Sequence, residues 1–144
     1  MNKYRISKYN PLYRCAERYL KAEWTDYSDI GKMFEDNILT EHEYKIVEQN
    51  YIFCLDDIIR LIGVHDLSIT ALECYDDVPW KNNQSVSIEL LPEIFRDCLR
   101  NKCWCKLESQ EMYIHFGYDY YVYIGCVLSY QEIEMMCKKY NLFC

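Results

Sequence analysis

Between Glu41 and Ile62 the apolar side chains Tyr44, Val47, Tyr51, Leu55, Ile58 and Ile62 recur at three- and four-residue spacing. That period predicts one amphipathic helix over 41–62. Thr40 and Glu43 fit a capping box at its start, and Gly63 fits a left-handed stop at its end. Glu41 with Lys45, and Asp56 with Arg60, add i,i+4 pairs on the exposed side. After it, Leu67, Ile69 and Ala71 alternate with Ser68 and Thr70, the signature of a half-buried strand. Residues 73–84 hold Asp76, Asp77, Pro79, Asn82 and Asn83 and predict a polar connection. Pro92 opens a helix to about Asn101 with Phe95, Cys98 and Leu99 inward; residues 86–90 fit either its extension or a short strand.

From Cys103 the period changes to two. Strands are expected at Trp104–Glu108, Met112–Gly117 and Tyr120–Gly125, joined by short turns into a three-strand meander. Ser129 and Glu132 form a second capping box, opening a helix to about Tyr140, and Leu142-Phe143-Cys144 could add an edge strand. Nearer the N-terminus the pattern is weaker. Residues 3–9 read as a strand stopped by Asn10-Pro11, residues 15–23 as helical or irregular, and Ser28 or Asp29 as the cap of a short turn running to about Phe34. Helices interspersed with late-clustering hairpins make an α+β fold: a single domain over 1–144, with a central mostly antiparallel sheet, a C-terminal three-strand meander and helices packed on it.

Composition narrows the class without naming a function. At 144 residues and 51% hydrophobic, the chain can bury one core and is not disordered as a whole. No apolar run reaches the roughly 18 residues of a membrane helix, and no apolar stretch follows the basic N-terminus. A cytoplasmic, membrane-free protein is the expectation. Nine cysteines, an odd number without export signal, read as core filling rather than disulfides. Cys103, Cys105 and His115 are the nearest approach to a metal set, but they lack the paired spacing and fourth ligand of a structural zinc site. No metal and no cofactor are expected.

Charge is uneven, and this changes the picture. Residues 1–21 carry six bases and one acid, residues 22–95 four bases and sixteen acids, and residues 96–144 six of each. A middle segment of net −12 repels nucleic acid and attracts basic proteins. The tyrosines Tyr113, Tyr118, Tyr120, Tyr121 and Tyr123 could stack bases, but residues 111–130 contain no Lys or Arg to hold phosphates. Direct nucleic-acid binding is therefore not expected, although the basic, Tyr-rich N-terminus keeps a minority claim to it.

Catalytic signatures are missing: there is no phosphate-binding glycine loop, H-E-x-x-H or G-x-S-x-G. His42 and His65 read as solvated and His115 as a packed strand residue, so no catalytic residue is assigned. The alternatives are a non-catalytic adaptor or regulatory binding domain, and a small enzyme using His115 with a carboxylate.

Three strings, KYRISKYNPLYR at 3–14, EWTDYSDIG at 23–31 and HFGYDYYVYIG at 115–125, occur in that order around an acidic capped helix. Together they resemble small bacterial immunity proteins of polymorphic-toxin systems, such as contact-dependent growth inhibition. The resemblance implies a cytosolic, non-catalytic inhibitor that neutralises a cognate toxin C-terminal domain, expected to be a basic nuclease. It transfers no site residues. Charge and expected exposure alone select a partner-binding set of Asp56, Asp57, Glu73, Asp76 and Asp77, with Tyr75 and Trp80 as anchors.

Overall fold

The computed structural model describes residues 1–16 and 18–144. The first strand, β1 (Asn2–Ile6), leads through a helical turn at Pro11–Tyr13 to two small hairpins. These are β2 (Arg14–Cys15) with β3 (Arg18–Tyr19), and β4 (Met33–Phe34) with β5 (Asn37–Ile38). Helix α1 (Glu41–Ile62) follows, then β6 (Asp66–Cys74), β7 (Ser85–Ser87), α2 (Leu91–Leu99), β8 (Cys103–Glu108), β9 (Tyr113–Phe116), β10 (Val122–Cys126) and α3 (Tyr130–Lys139). Six strands make one sheet in the order β1-β10-β9-β8-β6-β7, every pair antiparallel. The fold is α+β, as the alternation of periods predicts.

The strongest local signals hold to the residue. Thr40 Oγ1 accepts from the Glu43 amide at 3.1 Å while Glu43 reaches back to Thr40, and Gly63 ends α1 at φ 89°. Ser129 and Glu132 close the second capping box around α3. Weaker signals held only in part. The strand expected at 3–9 is β1 but stops at Ile6, and residues 15–23, expected to be helical or irregular, share the β2–β3 hairpin with Arg14, Glu17 lying outside the described residues. The turn near residue 28 is capped by Asp26, whose carboxylate accepts from the Ser28 amide, and β4 replaces its expected continuation. Residues 85–87 are strand, paired to β6. The C-terminal residues contribute a single bridge, Phe143 to Ser7.

Alternation divides the sheet into two faces. Cys103, Cys105 and Leu107 of β8, Ile114 and Phe116 of β9, and Val122 and Ile124 of β10 point into the core with Leu67 and Ile69. Helix α1, which buries Tyr44, Tyr51, Ile52, Leu55, Ile58 and Ile59, packs there with α2 and α3. Each such side chain removed from water contributes roughly 1.5–3 kcal/mol. The other face keeps Lys3, Arg5, Tyr123, Tyr113, His115 and Lys106 at least partly exposed.

One charge is folded into the helical layer. Glu48 on α1 is 3% exposed and takes two hydrogen bonds from Arg100, at 2.8 and 2.9 Å, with Arg96 at 3.5 Å. The Arg100 guanidinium also lies over the Tyr27 ring, so this pair ties α1, the end of α2 and the N-terminal segment together. Glu48→Ala removes the acceptor of both Arg100 bonds and leaves Arg100, itself partly exposed, without a partner; it is expected to cost about 2 kcal/mol in urea denaturation.

Candidate functional site: an acidic, tyrosine-rimmed cleft

At the end of the sheet where β8 begins and β9 ends lies a cleft of about 570 Å³. Asp26, Glu73 and Asp119 line it, no Lys or Arg does, and Tyr75 and Tyr118 stand at its mouth. Tyr118 is 93% exposed and Tyr75 63%. Two backbone irregularities aim these groups.

The first is a bulge in β6. Thr70 pairs with Lys106 and Glu73 with Trp104, so three residues of β6 match two of β8, with Ala71 at φ 53°. A regular strand would alternate Glu73 onto the buried face; the extra residue returns it to the open face beside Trp104. Tyr75 then donates to Glu73 at 2.7 Å, and that bond raises the phenol above its ordinary pKa of 10.0.

The second is the β9–β10 turn. Asp119 and Tyr120 adopt φ 57° and 68°, the hand a tight hairpin needs, but without the glycine that usually supplies it. Tyr120 is driven into the core, and Tyr118 is left outside. On the opposite wall Asp26 accepts from Asn101 Nδ2 at 2.8 Å.

Of the residues expected to bind a partner, Glu73, Tyr75, Asp76 and Asp77 share this end, the amides of Tyr75 and Asp76 both donating to the Lys102 carbonyl. Trp80 requires correction as an anchor: it is 6% exposed and its indole N–H donates to Asp97 at 2.7 Å, so it belongs to the core. Asp56 and Asp57 also stand elsewhere, on α1. Asp56 is bound by Arg60, and Asp57 by Lys139 and Tyr140 of the α3 end. Asp26 and Asp119 escaped the sequence reading, and Tyr118 entered it only as one of five tyrosines. The tyrosine-rich string at 118–121 was visible, but nothing local told which tyrosine would be buried.

The metal idea fails geometrically. Cys103 and Cys105 point into the core, where both sulfurs lie 3.8–3.9 Å from Cys98 Sγ, whereas His115 is on the opposite face. Among the described residues no group of three or more His, Cys, Asp or Glu could hold a metal ion. His115 Nε2 lies 3.1 Å from Glu108, outside either of the two main clefts. No helix of the described residues is long and apolar enough to cross a membrane. Compared with protein-family models, curated proteins and solved structures, the chain finds no match.

Thiol–thiol hydrogen bonds to Cys103 and Cys105, then burial, push the Cys98 thiol well above its ordinary value. Exposed Cys15 and Cys74 should therefore take iodoacetamide first at about pH 8, and the Cys98 group only on unfolding, as counted by mass spectrometry. For Asp57, burial works to raise the pKa, but hydrogen bonds from Tyr140 and Lys139 outweigh it and hold the carboxyl below 3.8. A depressed carboxyl stabilises the fold above its unfolded value and loses that contribution as pH falls through the folded one. Asp57→Asn should flatten the acid limb of a Tm-against-pH curve below about pH 4.

Proposed function

We propose that this chain is a non-catalytic inhibitor of the immunity-protein kind, which binds a basic toxin domain, a nuclease in this reading, through the acidic cleft. The observation that carries it is a concave site lined by Asp26, Glu73 and Asp119, free of cations and fronted by exposed Tyr75 and Tyr118. Tyrosines at the centre of an interface supply much of its binding energy, while a surrounding field of one sign accelerates encounter with the opposite sign. A nuclease must present cations where it grips phosphates, and carboxylates occupying that surface exclude its substrate without any chemistry. Two of the strings that resemble immunity proteins, 23–31 and 115–125, supply Thr25, Asp26 and Phe116–Tyr121 to the cleft lining. In this reading the protein works in the cytosol, with Asp76 and Asp77 extending the acidic rim.

The test is co-expression with the toxin encoded beside this gene, together with calorimetry of the purified pair. Rescue of growth is expected, with Tyr118→Ala weakening binding about 30-fold. The triple change Asp26→Asn, Glu73→Gln, Asp119→Asn should slow association at least tenfold at low salt. Absence of both rescue and binding would refute the function; rescue untouched by these variants would refute the cleft as its site.

A further inference from the structure

The uncovered face of the sheet carries a second constellation, which the cleft does not use. Strand register sets Arg5 opposite Tyr123, Tyr123 opposite His115 and His115 opposite Lys106, so one row crosses β1, β10, β9 and β8. The adjoining row sets Lys3 opposite Gly125 and Gly125 opposite Tyr113. The local sequence around the tyrosines holds no cation, but the flanking strands place cations at both ends of the row. This is the ingredient whose lack argued against base stacking when the chain was read linearly.

The glycines shape the face. A Cβ on Gly125 would stand 2.0 Å from Tyr113 Cε2, and one on Gly117 would stand 2.6 Å from Tyr123 Cε2. Both rings therefore lie against bare backbone. His115 packs against Tyr113 at a tilt of 33°, with centroids 4.4 Å apart. Tyr123 is 40% exposed, and Tyr130, the first residue of α3, reaches this side at the β1 edge.

At the β1 edge the row opens into a second cleft of about 580 Å³, lined by Lys3, Arg5, Arg14, Tyr9, Tyr123 and Tyr130 among others, and, among the described residues, by no Asp or Glu side chain. Arg5 and Arg14 both rest on Tyr121, Arg5 over its ring at 4.7 Å and Arg14 bonded to its hydroxyl. Among the described residues no carboxylate pairs with Lys3, Arg5, Arg14 or Lys106. The carboxylate within these two rows, Glu108, is occupied by His115.

From these observations we infer that the open sheet face, continued into the β1-edge cleft, is a binding site for single-stranded nucleic acid. Planar exposed rings between unpaired cations match alternating bases and phosphates, and fit an acidic peptide less well because it has nothing to stack. From β1 to β8 the row spans about 14 Å, room for two or three nucleotides. The site meets the acidic cleft at Tyr121, which lines that cleft and carries Arg5 and Arg14, but neither assignment depends on the other.

The experiment is fluorescence anisotropy of the intact protein with a fluorescein-labelled oligouridine of about 12 nucleotides. Binding at about 50 mM salt should weaken about 20-fold by 200 mM, as release from about three phosphates requires. Tyr123→Leu, which keeps apolar packing on Gly117 but removes the ring, should weaken binding about tenfold with the salt dependence unchanged. Arg5→Gln with Lys106→Gln should flatten the salt dependence, and thermal denaturation of each variant checks that it remains folded. No binding at low salt overturns the proposal. So does wild-type affinity in folded Tyr123→Leu, or equal competition by polyglutamate of matching length, which would mark the face as an unspecific anion patch.

Discussion

The burial of Tyr120 is the constraint on which the rest of the site depends. Its hydroxyl donates to Tyr44 at 2.7 Å, and its own carbonyl accepts from Tyr51 at 2.9 Å. Trp24 packs edge-on against its ring. Tyr51 accepts from the Lys8 amide in turn, and Tyr9 donates to the Asp119 carbonyl. One side chain thus joins α1, the irregular N-terminal segment and the β9–β10 turn. Burial holds its phenol far above the ordinary range, so it remains a donor at any pH the fold survives. A tyrosine at positive φ costs on the order of 1 kcal/mol or more. Here the aromatic and hydroxyl partners offset that cost, and the conformation leaves Tyr118 and Asp119 standing in solvent. The strain and the exposed pair are two results of one anchoring.

The same cluster explains how a long stretch with little secondary structure holds its place. Residues 7–39 contain only short hairpins and turns, yet Trp24, Tyr9 and Leu39 are buried. Lys8 is drawn in with them: its ammonium sits over the rings of Tyr9 and Trp24 and pairs with Glu23 at 3.0 Å. Burial lowers its pKa and Glu23 partly restores it, which fits a cation kept because it fastens the segment rather than because it adds net stability. Asp26, reached through this segment, is delivered to the cleft wall and fixed there by Asn101.

How much of this could be read from the chain depends on whether a feature is local. Both capping boxes, the Gly63 stop and the three-strand meander are local, and they were legible because each is written in neighbouring residues. The positions that matter most for binding are not. Trp80 looked available because it sits in a polar stretch, but the stretch folds it back onto Asp97. Glu73 faces the cleft because of a bulge at Ala71, a residue with no propensity for positive φ. The absence of Lys and Arg around Tyr113 and Tyr123 was true along the chain and untrue across the sheet. Linear neighbours predict helices; cross-strand neighbours, unknowable before the register is set, decide surfaces.

Charge shows the same gap between chain and surface. The −12 segment suggests an acidic protein throughout, yet several of its acids are matched by a cation: Glu41 by Lys45, Asp56 by Arg60, Asp57 by Lys139, and the buried Glu48 by Arg100. Glu73, Asp76 and Asp77 at the end of β6 have no such partner, and Asp119 of the β9–β10 turn joins them there. Lys3, Arg5 and Arg14 stand instead on and beside β1, because topology pairs the basic first strand with the last strand rather than with β6. Four strand spacings separate β1 from β6, about 19 Å. That is more than two screening lengths at physiological ionic strength, roughly 8 Å each. A ligand at either end therefore meets a local field of its own sign, and the net charge of −7 describes neither. One small domain can in this way present a surface for cations and a surface for anions at once, provided its first strand is carried to the far side of the sheet.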